Sequence, residues 1–194
     1  RMRLVGSEMC IRDSKNLFIF NGKEYDLDEL PFFGEHNYKN ALMAMCLAYL
    51  CDVPYEESFQ ALKNYSGVKR RLEVIFQGNT HLVYDDFAHH PTAIEAVSEA
   101  VKSKHASKMI GIIELASNTM KSGRHGNALI DSTKNFDKIY FLDHENTLND
   151  ANSFSSLEKI IDDLKKVICD YETIIIMTNK DSQIISREII KLCN

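Results

Sequence analysis

A cluster of amide and imidazole side chains at residues 34–40 is the first group in this chain that could do chemistry. It reads G-E-H-N-Y-K-N and stands at the start of a segment with helical periodicity. Asn37 and Asn40 are three residues apart, so they share a face of the first helical turn, beside backbone N–H groups without helical partners. Their amides carry a donor and an acceptor, which suits the edge of a purine. Taken alone, however, the pattern favours a simple asparagine cap of the helix.

Three consecutive cations, Lys69, Arg70 and Arg71, form the second group, in the sequence G-V-K-R-R-L-E. Such a run is commonly a solvated turn, which needs no ligand. A guanidinium group, however, presents a planar fork of donors that clamps phosphate oxygens. The residues alone leave both interpretations open.

The third group, D-D-F-A-H-H at 85–90, contains two carboxylates and two imidazoles within six residues. It lies where a predicted strand ends and a helix begins. A carboxylate at such a strand end can accept hydrogen bonds from ribose hydroxyls, and His89 can approach a phosphate. Carboxylates with histidines also suggest a metal site. Because successive strand residues point to opposite faces, however, Asp85 and Asp86 do not easily share one ion. We therefore predict no metal site made by the protein alone.

The first segment that must position these groups, 15–67, has the pattern of a hairpin followed by two helices. Asn21-Gly22 lies between apolar-rich runs and predicts a tight hairpin, because both central positions of its turn require positive φ. Apolar residues repeat at helical spacing after Gly34, and a second short helix follows Pro54.

The second segment, 68–194, alternates strands with helices. Gly78-Asn79 predicts a hairpin, Pro91 opens a helix, and Asp181 or Ser182 is expected to cap the last helix. Apolar runs predict buried parallel strands at 109–115, 138–142 and 172–177, with helices at 156–168 and 182–193. This alternation predicts an α/β fold with an open, doubly wound sheet, in which ligands bind beyond the carboxyl ends of the strands.

The composition excludes several classes of function. The 194 residues carry a formal charge of −5, which argues against a general binder of nucleic acid or of anionic membranes. No run of about 18 apolar residues is present, so we expect no membrane span. The five cysteines form no C-x-x-C pair, which fits a reducing, cytoplasmic compartment. Residues 1–14 have no clear period and resemble a translated linker, so they are set aside from the fold.

Taken in order, the three groups and the later sequence S-N-T-M-K at 117–121 resemble the Mur ligase family of peptidoglycan synthesis. The resemblance covers 17–194. It is strongest to members that join a recycled tripeptide to UDP-N-acetylmuramate, in which D-D-F-A-H-H-P-T-A and S-N-T-M-K occur together. It implies that 15–67 is the end of a central ATP-binding α/β domain, and that 68–194 is a C-terminal Rossmann-like domain.

The resemblance also implies a reaction. Members of the family use ATP and Mg²⁺ to activate a carboxylate as an acyl phosphate, which an amine then attacks to form an amide. Here the acid would be UDP-N-acetylmuramate, and the amine would be the alanyl end of L-Ala-γ-D-Glu-meso-diaminopimelate. The chain contains neither G-x-x-x-x-G-K-[ST] nor G-x-G-x-x-G, so a P-loop and most Mg²⁺ ligands are expected in N-terminal domains of the same protein. We therefore expect no turnover by this chain alone.

Site residues follow from the resemblance position by position. The nucleotide site would draw on all three groups: His36, Asn37, Asn40, Arg71 and Asp86. Asn40 would contact the adenine edge, Asp86 the ribose, and Arg71 a phosphate, with His89 beside them as a second catalytic side chain. The incoming peptide would bind the loop that contains Ser117, Asn118 and Thr119.

Two loops depart from the family pattern. The family sequence E-P-R-S-N-T-M is here E-L-A-S-N-T-M, so Ala116 replaces an arginine that could pair with a substrate carboxylate. The later M-S-N-G-G-F is M-T-N-K-D-S at 177–182, without its glycines. The acceptor preference could therefore differ. The alternatives are an alanine-adding or other member of the family, or a non-catalytic module that binds a nucleotide or peptide.

Overall fold

The computed structural model describes residues 9–12, 16–20, 22–116 and 126–194. The chain divides into two compact units, 1–67 and 68–194. Each unit has its own sheet and is described by itself.

The first unit begins with a three-stranded antiparallel sheet, formed by β1 (Met9–Arg12), β2 (Leu17–Phe20) and β3 (Lys23–Asp26). Phe20 pairs with Lys23, so the predicted hairpin is confirmed, and Gly22 has the positive φ of 76° that its turn requires. Residues 9–12, which the sequence analysis set aside, form an edge strand on β2.

Two helices complete the first unit, α1 (Glu35–Leu50) and α2 (Tyr55–Lys63). Both were predicted, and both bury aromatic and aliphatic side chains against the small sheet. The resulting core consists of Phe18, Tyr25, Leu27, Leu30, Tyr38, Ala41, Leu42, Met45, Tyr55 and Phe59.

The second unit is a six-stranded sheet in the order β4-β5-β9-β6-β7-β8. Its strands are β4 (Glu73–Gln77), β5 (Leu82–Asp86), β6 (Met109–Glu114), β7 (Lys138–Leu142), β8 (Ser153–Phe154) and β9 (Thr173–Met177). All pairs are parallel except the hairpin of β4 with β5. The chain runs from β5 outwards to β8 and then returns, which inserts β9 between β5 and β6.

Helices cover both faces of this sheet, which is the doubly wound α/β arrangement that the sequence predicts. The helices are α3 (Pro91–Lys104), α4 (Gly126–Asp131), α5 (Leu157–Leu164) and α6 (Gln183–Cys193). The pair α3 and α4 is in contact, as is the pair α5 and α6. The core under α5 and α6 consists of alternate strand residues, four helical ones and one residue of a 3₁₀ turn: Val83, Ile110, Ile112, Tyr140, Leu142, Ile174 and Ile176, with Ile160, Leu164, Ile185, Ile189 and Ile168.

One predicted helix boundary in the second unit was wrong, and the predicted cap of the last helix is confirmed. The helix expected at 156–168 ends at Leu164 and is followed by a separate 3₁₀ turn at Ile168–Asp170. At the start of α6, Asp181 accepts a hydrogen bond from the Gln183 amide at 3.0 Å and acts as the capping side chain. Ser182 occupies the N-cap position but makes no capping bond.

No helix in the described parts of the chain is long and apolar enough to cross a bilayer.

The fold predicts a pH dependence at His105, which follows α3. Its Nε2 lies 2.8 Å from the Tyr84 hydroxyl, and burial, assisted by the charge of Lys104, lowers the pKa of His105 below its ordinary 6.5. The unfolded chain therefore binds more protons at that residue, and the free energy of unfolding decreases as pH falls through about 6.5. Urea titrations at about pH 7.5 and 5.5 measure this effect. The free energy of unfolding should decrease less between the two pH values in His105→Gln than in the parent protein. The exposed His90→Gln is the control, and equal decreases in both variants would contradict the assignment.

Candidate active site

The carboxylate of Asp86 lies at the carboxyl end of β5. It is 2% exposed, and its two oxygens accept backbone hydrogen bonds from Leu72 at 2.8 Å and from Ala88 at 2.7 Å. A buried carboxylate is stabilised by such charge-assisted bonds. Asp86 thereby ties the turn that precedes β4 to the turn that precedes α3.

The turn at residues 70–72 has a strained backbone. Arg70 and Leu72 have φ values of 59° and 48°, in the left-handed region that non-glycine residues seldom adopt. Besides the bond to Asp86, the turn is held by Glu73, which accepts from the Arg70 amide at 2.8 Å, and by the Phe87 amide, which donates to the Arg70 carbonyl at 2.9 Å. Strain of this kind persists only where surrounding contacts fix the conformation, and it clusters at functional sites.

Arg70 and Arg71 have opposite environments. Arg70 faces inward: its Nε lies 3.3 Å from Asp85, and its Nη2 donates to the Thr178 carbonyl at 2.5 Å. Arg71 is exposed, and among the described residues no carboxylate lies within 4.0 Å of its guanidinium. Of the two arginines, Arg71 is therefore the one whose donors face solvent and can meet an anion.

The ring of Phe87 brings together the predicted site residues of this unit. Arg71 lies 5.9 Å from the ring centroid, and the His89 ring packs edge-on at 5.4 Å. The Nδ1 of His89 is 3.0 Å from the Phe87 carbonyl, which orients the half-buried imidazole. The structure therefore places Arg71, Asp86 and His89 around one short segment at the carboxyl end of β5.

The two adjacent aspartates point to opposite faces of β5, as predicted. Asp85 lies on the side of α6, where Ser182 donates to its Oδ2 at 2.6 Å. Its Oδ1 is buried and has no hydrogen-bond partner among the described residues. In the described part of the chain no group of three metal-ligating side chains could hold an ion.

Sequence reasoning missed a polar contact at the neighbouring strand ends. Thr178, just after β9, donates to Glu114 at the end of β6 at 2.5 Å, and the Lys180 amide donates to the Thr178 hydroxyl at 2.9 Å. Only the return of β9 between β5 and β6 makes this contact possible, so no local sequence pattern marks it. The predicted peptide-binding residues Ser117, Asn118 and Thr119 lie outside the described residues.

In the first unit, the predicted base-binding group lies on the first turn of α1. Asn37 is not the helix cap that the cluster alone favours, because Gly34 occupies the N-cap position with a φ of 96°. The Asn37 amide instead donates to the Phe33 carbonyl at 2.8 Å. His36 is half-buried, and Asn40 is exposed one turn further along the helix.

Residues 70–188 match the family described as "Mur ligase, glutamate ligase domain". The match covers more than half of the chain, which therefore belongs to the Mur ligase family, as the sequence motifs indicated. The α/β sheet in the matched residues 70–188 belongs to the C-terminal, Rossmann-like domain of that family.

Relatives carry two different names. The chain is 33% identical over 157 residues to a UDP-N-acetylmuramate–L-alanine ligase of Hydrogenobaculum sp., covering 78% of this chain and 34% of that protein. It is 34% identical over 142 residues to the UDP-N-acetylmuramate–L-alanyl-γ-D-glutamyl-meso-2,6-diaminoheptandioate ligase of Haemophilus influenzae. That match covers 72% of this chain and 31% of that protein. The crystal structure of a murein peptide ligase from Psychrobacter arcticus superposes with a TM-score of 0.65 at 29% identity, covering 99% of this chain and 44% of that one. The chain spans about a third of the length of the curated relatives it matches.

Loss of the Asp86 carboxylate should destabilise the second unit. Asp86→Ala leaves the Leu72 and Ala88 amides buried without an acceptor, at a cost of about 1–3 kcal/mol for each. Urea unfolding should show this loss of unfolding free energy. The control is Asp162→Ala, which removes one partner of an exposed ion pair on a helix and should change the unfolding free energy by about 0–1 kcal/mol. A loss no larger than that of the Asp162 control would mean that the Asp86 bonds do not hold the turn.

Proposed function

We propose that this chain is the C-terminal portion of an ATP-dependent ligase that forms an amide bond on UDP-N-acetylmuramate. In this proposal 15–67 is the end of the central ATP-binding domain, and 68–194 is the C-terminal domain. The observation that carries it is the exposed guanidinium of Arg71, held on a strained turn at the carboxyl edge of the sheet beside buried Asp86. An arginine fork at such an edge suits a phosphate group.

The nucleotide contacts are assigned residue by residue. Asn40 supplies an amide donor and acceptor for the adenine edge, with His36 and Asn37 one turn earlier on the same helix. Asp86 fixes the turn of Arg71, and because a carboxylate oxygen has two lone pairs, it can also accept from a ribose hydroxyl. Since the carboxylate is 2% exposed, the nucleotide has to open access to it on binding. Within the second unit, the side chains present fit the ribose and phosphate groups of ATP in type: a carboxylate for the sugar and a guanidinium for the phosphates.

In the reaction, the carboxylate of UDP-N-acetylmuramate attacks the γ-phosphorus of ATP, which gives an acyl phosphate and ADP. The amine then attacks the acyl carbon, phosphate leaves with the bonding electrons, and a proton is lost from nitrogen. Arg71 stabilises the charge that accumulates on the phosphate oxygens. His89 packs on the Phe87 ring that Arg71 also approaches, and it is proposed as the second catalytic side chain near the phosphates.

Among the described residues, no group of three His, Cys, Asp or Glu side chains could hold a metal ion without help from a substrate. We propose that the Mg²⁺ ligands and the P-loop belong to preceding domains of the same protein, which acts in the cytoplasm where its nucleotide substrates are found.

The proposed amine is the recycled tripeptide L-Ala-γ-D-Glu-meso-diaminopimelate, bound through Ser117, Asn118 and Thr119. Support comes from the motifs shared with tripeptide-adding members and from the name of the Haemophilus influenzae relative. The second candidate is L-alanine, which the name of the Hydrogenobaculum relative favours. The loss of an arginine at Ala116 removes one expected partner for a peptide carboxylate, so the acceptor has to be measured.

Arg71→Lys in the full-length enzyme should be more damaging than its conserved charge suggests. Lysine keeps the positive charge but loses the planar fork, so kcat should decrease on the order of tenfold or more while the KM for UDP-N-acetylmuramate stays unchanged. Steady-state assays of phosphate release give both values, and Lys69→Met in the same cationic run is the matched control. Wild-type kinetics for Arg71→Lys would remove Arg71 from the phosphate site.

The acceptor is identified by assaying full-length enzyme with ATP, magnesium, UDP-N-acetylmuramate and either the tripeptide or L-alanine. We expect amide product with the tripeptide and little with L-alanine. Preference for L-alanine would establish the second candidate, and product with neither amine would favour a non-catalytic binding module. The purified chain 1–194 is the negative control, because without a phosphate-cradling loop it should give no turnover.

A further inference from the structure

Arg70 joins three separate parts of the second unit. Its guanidinium contacts Asp85, 15 residues away on β5, and Thr178, 108 residues away after β9. It also lies 5.2 Å from the Phe87 ring centroid, on the ring that Arg71 approaches. One side chain thus connects the turn at 70–72 to the ends of two adjacent parallel strands.

The charge of Arg70 is already neutralised within the protein. The side chain is 25% exposed and that of Asp85 is 6% exposed, so this ion pair is largely shielded from solvent. Asp85 also accepts from Ser182, while its second oxygen lacks a described partner. Removing Arg70 would leave a buried carboxylate without a counter-charge, which is strongly unfavourable. Arg70 is therefore poorly suited to release Asp85 and bind phosphate.

The contacts of the Arg70 side chain hold the backbone of the turn at 70–72. The residue has a left-handed φ of 59°, and its carbonyl accepts from the Phe87 amide. The side chain of Arg70 is held inward, and the Leu72 amide is held by Asp86. Arg71 lies between these two fixed residues, and its side chain is exposed to solvent.

We infer that Arg70 is a positioning residue, which directs Arg71 outward by fixing the turn at 70–72 through Asp85 and Thr178. The inference rests on the proposed phosphate role of Arg71, but the fixing of the turn is independent of any ligand. Arg70 itself contacts no substrate in this assignment.

The first test measures amide hydrogen exchange by NMR in the chain 1–194. Arg70→Met should accelerate exchange of the Leu72 and Phe87 amides on the order of tenfold or more relative to Ile112 in the sheet core. Arg71→Met, which removes an exposed side chain, is the matched control and should leave both amides unchanged. Unchanged exchange in Arg70→Met would overturn the inference. If Arg70→Met does not fold, Arg70→Lys is used, which keeps the charge beside Asp85 but cannot span both partners, and the same acceleration is expected.

The second test is a double-mutant cycle in the full-length enzyme, read as kcat. Arg70→Lys should lower kcat on the order of tenfold, yet have almost no further effect when Arg71 is already alanine, because its contribution passes through Arg71. Equal losses in both backgrounds would show that Arg70 acts independently and would overturn the inference. If Arg71→Ala alone leaves kcat unchanged, the proposed phosphate role fails, while the exchange measurement still decides whether Arg70 fixes the turn.

Discussion

The buried carboxylate of Asp86 imposes the constraint on which the candidate site depends. A charged group with 2% exposure requires strong donors, and backbone amides of Leu72 and Ala88 supply them. To present the Leu72 amide, the turn before β4 adopts positive φ at two residues that are not glycine. In this turn Arg70 lies inward and Arg71 outward, so two chemically identical neighbours have different environments.

The sheet topology explains why the inward arginine has partners. Because β9 returns between β5 and β6, the residue after β9, Thr178, lies beside the ends of both neighbours. Its carbonyl receives Arg70 and its hydroxyl reaches Glu114. The carboxyl edge of a doubly wound sheet is the usual position of a ligand site, and here internal hydrogen bonds rigidify that edge. Rigid support of this kind lets an exposed side chain meet a ligand without a large loss of conformational freedom.

Local chemistry made much of the fold predictable. The hairpin at Gly22, the helix that begins at Pro91 and the buried strands follow from turn geometry and hydrophobic periodicity, which depend on neighbouring residues. The opposite directions of Asp85 and Asp86 follow from strand geometry in the same way. The motifs also located the candidate site, since three of its predicted residues meet around Phe87.

The remaining features depend on contacts distant in sequence. The sequence K-R-R does not indicate which cation faces inward. Arg70 faces inward because it contacts Asp85 and Thr178, which are 15 and 108 residues away in the chain. The sequence suggested Asp86 as a ribose ligand but gave no sign that it holds two backbone amides. The sequence offered both Asp181 and Ser182 as caps of the last helix; the choice between them depends on the distant carboxylate of Asp85, which accepts from the Ser182 hydroxyl, while Asp181 makes the capping bond.

The most direct measurement follows the side-chain Nε–H signals of the two arginines by NMR while ATP is added to the full-length enzyme. The account predicts that the Arg71 signal shifts and becomes protected from exchange with water, because its guanidinium engages phosphate. The Arg70 signal should be protected from the start by Asp85 and should change little. A shift confined to Arg70, with Arg71 unaffected at saturating ATP, would contradict the assignment of an inward support and an outward phosphate contact.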